Sequence, residues 1–395
     1  MKITDGFEVD FREKWTISAF LYLGLGAVVT QLRGALLPNF QEAFGVSESL
    51  LGLVSPAGTI GFTVVALTSG MIAGRVNIRR AIQVGALLTA ITTFAIGLTP
   101  GYFLFLSAIL LRGMAGGIPG GLTRPVLGHL YPDNRGQIFN LHEAVWAFGA
   151  ACGPLLANLI LRFADWRAAY YVAGAAFVPI FFLLMKNSGF SEEIKEKPIT
   201  RKQLMELLKS PVVLGVGLAL FLNVGVEGGF FTWLPYYLSQ SLPQSVANLA
   251  LTGFIGAYVP GRLLNSYLTR KFKLTNLILF SSSITGGLLV TAFFLVGGYR
   301  QILVIVAVGF FISTIFPNLF SLAANAFPEH SGPVNGLIMT FDPLGISTVP
   351  VFMGIIAESF GIQLAMRALV VPITGVIFTT LFLKRKIGTA NADQA

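Results

Sequence analysis

Apolar runs of about 20 residues, the length a helix needs to cross the hydrocarbon of a bilayer, recur along the chain from Trp15 to Leu383. Separated by short polar turns, they predict twelve helices, at roughly 15 to 38, 49 to 74, 79 to 99, 101 to 129, 137 to 161, 166 to 185, 211 to 238, 245 to 269, 275 to 297, 300 to 325, 332 to 357 and 362 to 383. The pattern also repeats. Shifted by 196 residues, Pro132 meets Pro328, Gly136 meets Gly332, Gly149 meets Gly345 and Pro154 meets Pro350. The predicted fold class is therefore an all-α membrane protein of two six-helix pseudo-repeats, 15–186 and 211–384. A polar linker, 187–210, joins them and ends in a short amphipathic stretch, MELLKS. Residues 1–14 and 385–395 form the two tails.

Composition agrees with this reading: 54% of the 395 residues are hydrophobic and only 11% are charged, too apolar for a soluble domain. The net charge of +9 does not point to nucleic acid, because the Lys and Arg lie in alternate turns. Arg75, Arg79 and Arg80, Arg270, Lys271 and Lys273, and Lys384, Arg385 and Lys386 fall on one side with the basic linker. Only Arg162, Arg167, Arg300 and Arg367 fall in turns on the other. Under the positive-inside rule both termini are cytoplasmic, as in a multi-pass protein of the cell's inner or plasma membrane. The first fourteen residues lack an apolar core with a small-residue cleavage site, so the first apolar helix is expected to direct insertion.

Chemistry is excluded on similar grounds. Cys152 is the one cysteine, expected to be a small packing residue, and His129, His142 and His330 lack metal-ligand spacing. No nucleophile elbow or phosphate loop is present, so neither an enzyme nor a cofactor or metal is expected. A membrane receptor would need a sizeable soluble output domain, and the sequence has none.

Polar residues inside the apolar runs carry the functional reading, since an ionisable group in lipid normally faces a protein interior or a water-filled path. Arg33 follows Gln31 near the end of the first helix, and either snorkels to the interface or faces a cavity. Arg112 opens RGMAGGIPGG in the fourth, whose glycines allow close helix approach. It could instead be structural, bound to backbone carbonyls. Arg124 precedes Pro125. In the fifth helix Asn140, Glu143 and Ala147 share a face with Trp146 at its edge, a set suited to a hydroxylated solute. The seventh carries Asn223 and Glu227 four apart, then Gly228, Gly229, Trp233 and Pro235, and glycine or proline interruptions of this kind mark transporter sites. Asn318 and Asn325 lie seven apart in the tenth helix, and Asn335 and Asp342 seven apart in the eleventh; Asp342, preceding Pro343, could alternatively cap freed backbone.

Several phrases together resemble a known family. The basic turn Gly70 to Arg80, Arg112 with Gly116, and Gly149 to Pro154 resemble motifs of the major facilitator superfamily. LLPNFQEAF, RPVLGHLYP, FNLHEAVWAFGA, EGGFFTWLPYYL, FPNLFSL and TVPVFMG resemble its fucose/glucose-type sugar:proton symporters. The resemblance implies the major facilitator fold and secondary active transport. Departures accompany it. Gly74, Asn77 and Ile78 replace motif residues of the turn after the second helix, Ala157-Asn158 follows Gly153-Pro154, and Gly34 and Gly120 stand where that family carries acids.

The expectation is thus a monomeric transporter moving a small polar solute, a sugar or sugar-like organic anion, across the lipid bilayer by alternating access with H+ symport. A drug:proton antiporter is the alternative. The expected solute-binding set is Arg33, Arg112, Arg124, Asn140, Glu143, Trp146, Asn223, Glu227, Trp233, Asn318 and Asn335. Proton coupling is expected at Glu143, Glu227 and Asp342, with Glu143 ahead of Asp342. Surplus arginine in the first half favours an anionic solute, unless Arg112 pairs with Glu143 and leaves a neutral pocket.

Overall fold

The computed structural model describes residues 11–72, 76–186, 207, 209–327 and 331–392. Most of the linker and both chain ends therefore lie outside the described residues. Within them the twelve expected helices are present: α1 (Phe11–Ala35), α2 (Glu48–Met71), α3 (Ile78–Gly97), α4 (Tyr102–Leu130), α5 (Arg135–Ile160) and α6 (Trp166–Lys186). The second set is α7 (Pro211–Ser239), α8 in two pieces (Gln244–Gly256 and Tyr258–Leu268), α9 (Leu274–Leu295), α10 (Tyr299–Ala326), α11 (Gly336–Phe360) and α12 (Ile362–Lys386). Among the described residues eleven of these are long and apolar enough to cross a membrane, and α8 is the exception.

Packing divides the chain into two units, Met1–Leu32 with Ala57–Glu196, and Arg33–Pro56 with Lys197–Ala395. The sequence repeat places the boundary in the linker alone. By contact, the last turn of α1, the short helix Leu37–Phe44 and the start of α2 belong to the second unit.

The repeat shows itself as glycine contacts. In the first unit a Cβ added to Gly149 of α5 would lie 2.2 Å from the carbonyl oxygen of Gly24 in α1, and one on Gly113 of α4 would lie 2.1 Å from that of Gly58 in α2. In the second, Gly345 of α11 meets the carbonyl of Phe221 in α7 at 2.2 Å, and Gly309 of α10 meets that of Phe254 in α8 at 2.2 Å. Gly113 and Gly309, Gly58 and Phe254, and Gly149 and Gly345 are related by the 196-residue shift. Helices in lipid gain little from hydrophobic exclusion and associate by close packing, so small residues select the contact points.

The second unit contains broken helices, but not where glycine and proline predict them. α7 is continuous through Gly228, Gly229 and Pro235. Its glycines make room for neighbours: a Cβ on Gly228 would meet Ile346 at 2.9 Å, and one on Gly229 the Met353 sulfur at 2.7 Å. The interruptions fall at Ala257 in α8, at Ser313 and Thr314 in α10, at Met339 and Thr340 in α11, and at Ala368 and Leu369 in α12. α9 ends in a π-helical turn, Thr291–Leu295; Gln301 donates to the Ala292 carbonyl at 2.6 Å and Arg367 to that of Phe293 at 3.0 Å.

Below the α8 break, Asn265 and Asn318 exchange two hydrogen bonds, amide to amide, each 2.9 Å, with both residues buried. Next to them Thr314 donates to Ser281 of α9 at 2.8 Å. Removing one amide leaves the other with unmet groups in an apolar bundle. Asn265→Ala is expected to lower stability in detergent by about 1 to 2 kcal/mol. The Asn265→Leu, Asn318→Leu double variant should lose less than the sum of the single changes, as read from thermal unfolding.

Candidate solute-binding and coupling residues

In the first unit the charges converge where the end of α4 meets the start of α5. Pro119 and Pro125 lie within α4, and each removes a backbone donor from the ladder. Arg124, beside Pro125, forms a hydrogen-bonded ion pair with Glu143 of α5. The two side chains are 43% and 39% exposed, so the pair is not sealed in the core. His142 Nδ1 lies 3.4 Å from the same carboxylate oxygen, while its buried ring packs edge-on to Phe20 at 6.3 Å. The neighbouring stripe grades from exposed Asn140 through half-buried Glu143 and Trp146 to buried Ala147.

Arg112 does not pair with Glu143. Its guanidinium donates to the Gly26 carbonyl of α1 at 3.0 Å, and its Nε has no hydrogen-bond partner. Tyr22, whose hydroxyl bonds Thr89 at 2.8 Å, and Tyr170 lie within its electrostatic reach. This matches the structural alternative for Arg112.

In the second unit Glu227 and Asn223 are buried on one face of α7, and the Asn223 amide donates to the Glu227 carboxylate at 2.8 Å. The Asn223 carbonyl oxygen has no hydrogen-bond partner. Tyr258 and Arg262, on the α8 piece that starts after the break, and Asp342 of α11 lie close enough to act electrostatically on Glu227. The Arg262 guanidinium sits 5.4 Å over the Tyr258 ring. Among the described residues Glu227 makes no ion pair.

Other expected residues are placed elsewhere. Trp233 is fully buried and gives its indole N–H to the Pro350 carbonyl at 2.9 Å. Asn318 is buried and exchanges two hydrogen bonds with Asn265. Arg33 lies in the second unit and donates to the Ser55 carbonyl at 3.2 Å. The side chain of Asn335 lies outside the described residues.

Comparison with known proteins decides the family. The profile described as Major Facilitator Superfamily matches residues 17–299 and 217–394. The chain belongs to the Major Facilitator Superfamily. It is similar to a Protein TsgA homolog of Buchnera aphidicola, 23% identical over 354 residues, covering 89% of this chain and 90% of that one. It is equally similar, 23% over 368 residues, to a Glucose/galactose transporter of Brucella abortus, with 85% and 86% covered. The structure of a single-site variant of the E. coli fucose:proton symporter, FucP, superposes with a TM-score of 0.63 at 20% identity, over 93% of this chain and 98% of that one. The protein is accordingly a membrane transporter and not an enzyme.

The superfamily motifs take on local roles here. Asn77, in place of a motif glycine, caps α3 by accepting from the Arg80 backbone N–H at 2.9 Å. Arg79 donates to the Met185 carbonyl at the end of α6 at 2.9 Å. Gly74 and Arg75 lie outside the described residues. In the fifth-helix Gly-Pro motif, a Cβ on Gly153 would fall 2.7 Å from the Val28 carbonyl, so this glycine serves α1 packing.

Sequence reading passed over Asn265 and Tyr258, polar groups in apolar helices that carried the same signal as those chosen. The Arg124–Glu143 pair can be tested by a double-mutant cycle on solute affinity. Arg124→Gln and Glu143→Gln should each weaken binding, and the double variant should weaken it less than the two effects added. The coupling is expected to be about 1 kcal/mol or less, given how far water reaches the pair.

Proposed function

We propose that the chain is a proton-coupled symporter of a small neutral sugar, working by alternating access. The Arg124–Glu143 pair carries this reading, because it balances the charge nearest the exposed polar stripe of the first unit. Glu143 pairs Arg124, and Arg33 and Arg112 each donate to a backbone carbonyl, so all three arginines that favoured an anionic solute have partners within the protein. A pair of groups that both donates and accepts, flanked by Asn140 and Trp146, suits hydroxyls and the apolar face of a sugar ring. The names of the Brucella glucose/galactose transporter and of the fucose:proton symporter support the same solute class. Gly153-Pro154 no longer favours the drug antiporter, since packing against α1 accounts for the glycine.

The proton is assigned to Glu227. Glu143 is already engaged in an ion pair with the Arg124 guanidinium. Glu227 is buried on α7 with the neutral Asn223 amide as a hydrogen-bond partner, and it makes no ion pair among the described residues. Asp342 and Arg262 stand beside it as the charged groups that sense its state. The reading keeps both termini in the cytoplasm of a multi-pass, monomeric protein in the cell's inner or plasma membrane.

Labelled D-glucose, D-galactose, L-fucose and D-glucuronate offered to proteoliposomes, with and without an inward proton gradient, test the proposal. Gradient-driven accumulation of a neutral hexose, with glucuronate a poor competitor, is the expected result. Glu227→Gln should retain counterflow exchange of the accepted sugar but lose accumulation above the outside concentration. Full accumulation by that variant would remove Glu227 from coupling, and equal competition by glucuronate would overturn the neutral-solute assignment.

A further inference from the structure

The repeat supplies an internal comparison at the end of α9. In the first unit the Tyr171 hydroxyl of α6 donates to the Gly97 carbonyl at the end of α3, at 2.8 Å. Shifted by 196 residues these positions are Arg367 of α12 and Phe293 of α9, and the same bond is there, from Arg367 Nε to the Phe293 carbonyl at 3.0 Å. Gln363 also donates to that carbonyl, at 3.4 Å, and Gln301 donates to its neighbour, the Ala292 carbonyl. Neutral hydroxyls and amides therefore suffice for the backbone at this end of the bundle. The charge of Arg367 answers to something else. The first unit has an arginine of its own one helical turn earlier, Arg167, the counterpart of Gln363. It is neutralised within the chain, with Asp165 at 3.5 Å and the Trp166 ring beneath it at 4.5 Å. The counterpart of Asp165 is Gly361, which has no side chain to offer. Among the described residues no carboxylate lies within ion-pairing distance of Arg367.

The guanidinium is also held in one orientation. Its Nε is engaged by Phe293, its plane lies 4.7 Å over the Phe294 ring, and no hydrogen bond engages its two terminal nitrogens. Phe294, Leu295, Leu364 and Val371, all exposed and apolar, surround it on α9 and α12. Under the positive-inside reading this end of the helices is the outer one, where the chain carries only four arginines, so topology gives no reason for an uncompensated charge. We propose that Arg367 binds the phosphate of an outer-leaflet phospholipid, whose acyl chains lie along Phe294, Leu295 and Val371. A guanidinium fixed through Nε presents its terminal nitrogens as a fork that matches two phosphate oxygens. The apolar surroundings select a lipid over a free anion, because a phosphate here has hydrocarbon directly below it. The proposal goes beyond the transporter reading, and it is assayed without any solute.

Local photocapture tests it. Leu295→Cys in a Cys152→Ala background, as full-length, monodisperse protein in a non-ionic detergent, is coupled to benzophenone maleimide and irradiated with radiolabelled phosphatidylglycerol. Label should be captured, and unlabelled phosphatidylglycerol should displace it, whereas inorganic phosphate at the same concentration should not. Arg367→Gln, which keeps an amide for the turn and removes the charge, should lower capture about tenfold. Arg367→Lys, which keeps the charge and loses the fork, should lower it roughly threefold. Arg300→Gln, removing an exposed charge at the start of α10, should leave capture within about twofold, since an exposed charge on its own holds little. Unchanged capture in Arg367→Gln would overturn the proposal, and so would an equal fall in Arg300→Gln, which would show general attraction to positive charge. Displacement by inorganic phosphate would make this a free-anion site and overturn the lipid assignment. Should Arg367→Gln fail to fold, Arg367→Lys decides: capture equal to that of the parent would overturn the fork.

Discussion

Helix packing here depends on backbone approaching backbone at positions where no side chain fits. Four contacts, Gly149 on Gly24, Gly113 on Gly58, Gly345 on Phe221 and Gly309 on Phe254, bring α5 to α1, α4 to α2, α11 to α7 and α10 to α8. A methyl group at any of the four would overlap a carbonyl oxygen. In water such contacts would be a detail beside hydrophobic burial. In lipid, where leaving a neighbour for acyl chains costs an apolar side chain little, they determine which helices are partners and in what register.

That frame explains how polar chemistry can be placed in so apolar a chain. Arg124 and Glu143 come from α4 and α5, each anchored by its own glycine contact one to four turns away, and they meet at a point that retains some exposure to water. Glu227 belongs to α7, the helix in deepest contact with its neighbours, and α7 stays unbroken while α8, α10 and α11 break around it. The interruptions free backbone groups, and at two of them hydroxyls take up part of that demand: Ser313, Thr314 and Thr340 donate to the carbonyls of Phe310, Phe311 and Leu337.

Helix number, span and duplication were legible because membrane thickness and hydropathy impose them directly on sequence. The buried polar residues were legible as a class, since each costs energy and must have a reason. Their partners were not. Arg112 and Arg124 read alike in sequence, and only the relative rotation of α4 and α5 gives Glu143 to Arg124 and leaves Arg112 to a carbonyl. An amide or indole in an apolar run has the same signature whether it meets a ligand, another amide, as Asn318 does, or a proline carbonyl, as Trp233 does. Breaks were misassigned to α7 because glycine there serves neighbouring bulk, whereas α8 breaks at an alanine.

The glycine contacts also bear on how the two halves could drift apart. Every charged or amide group singled out in one half lacks an identical counterpart in the other: Arg124 faces Phe320 across the repeat, and Glu143 faces Met339. The packing positions kept their geometry while the chemistry was rewritten. In such a chain ancestry is recorded in what is missing, the side chains that could never be added, and a duplicated six-helix ancestor can be traced through its empty positions after its functional residues have ceased to resemble one another.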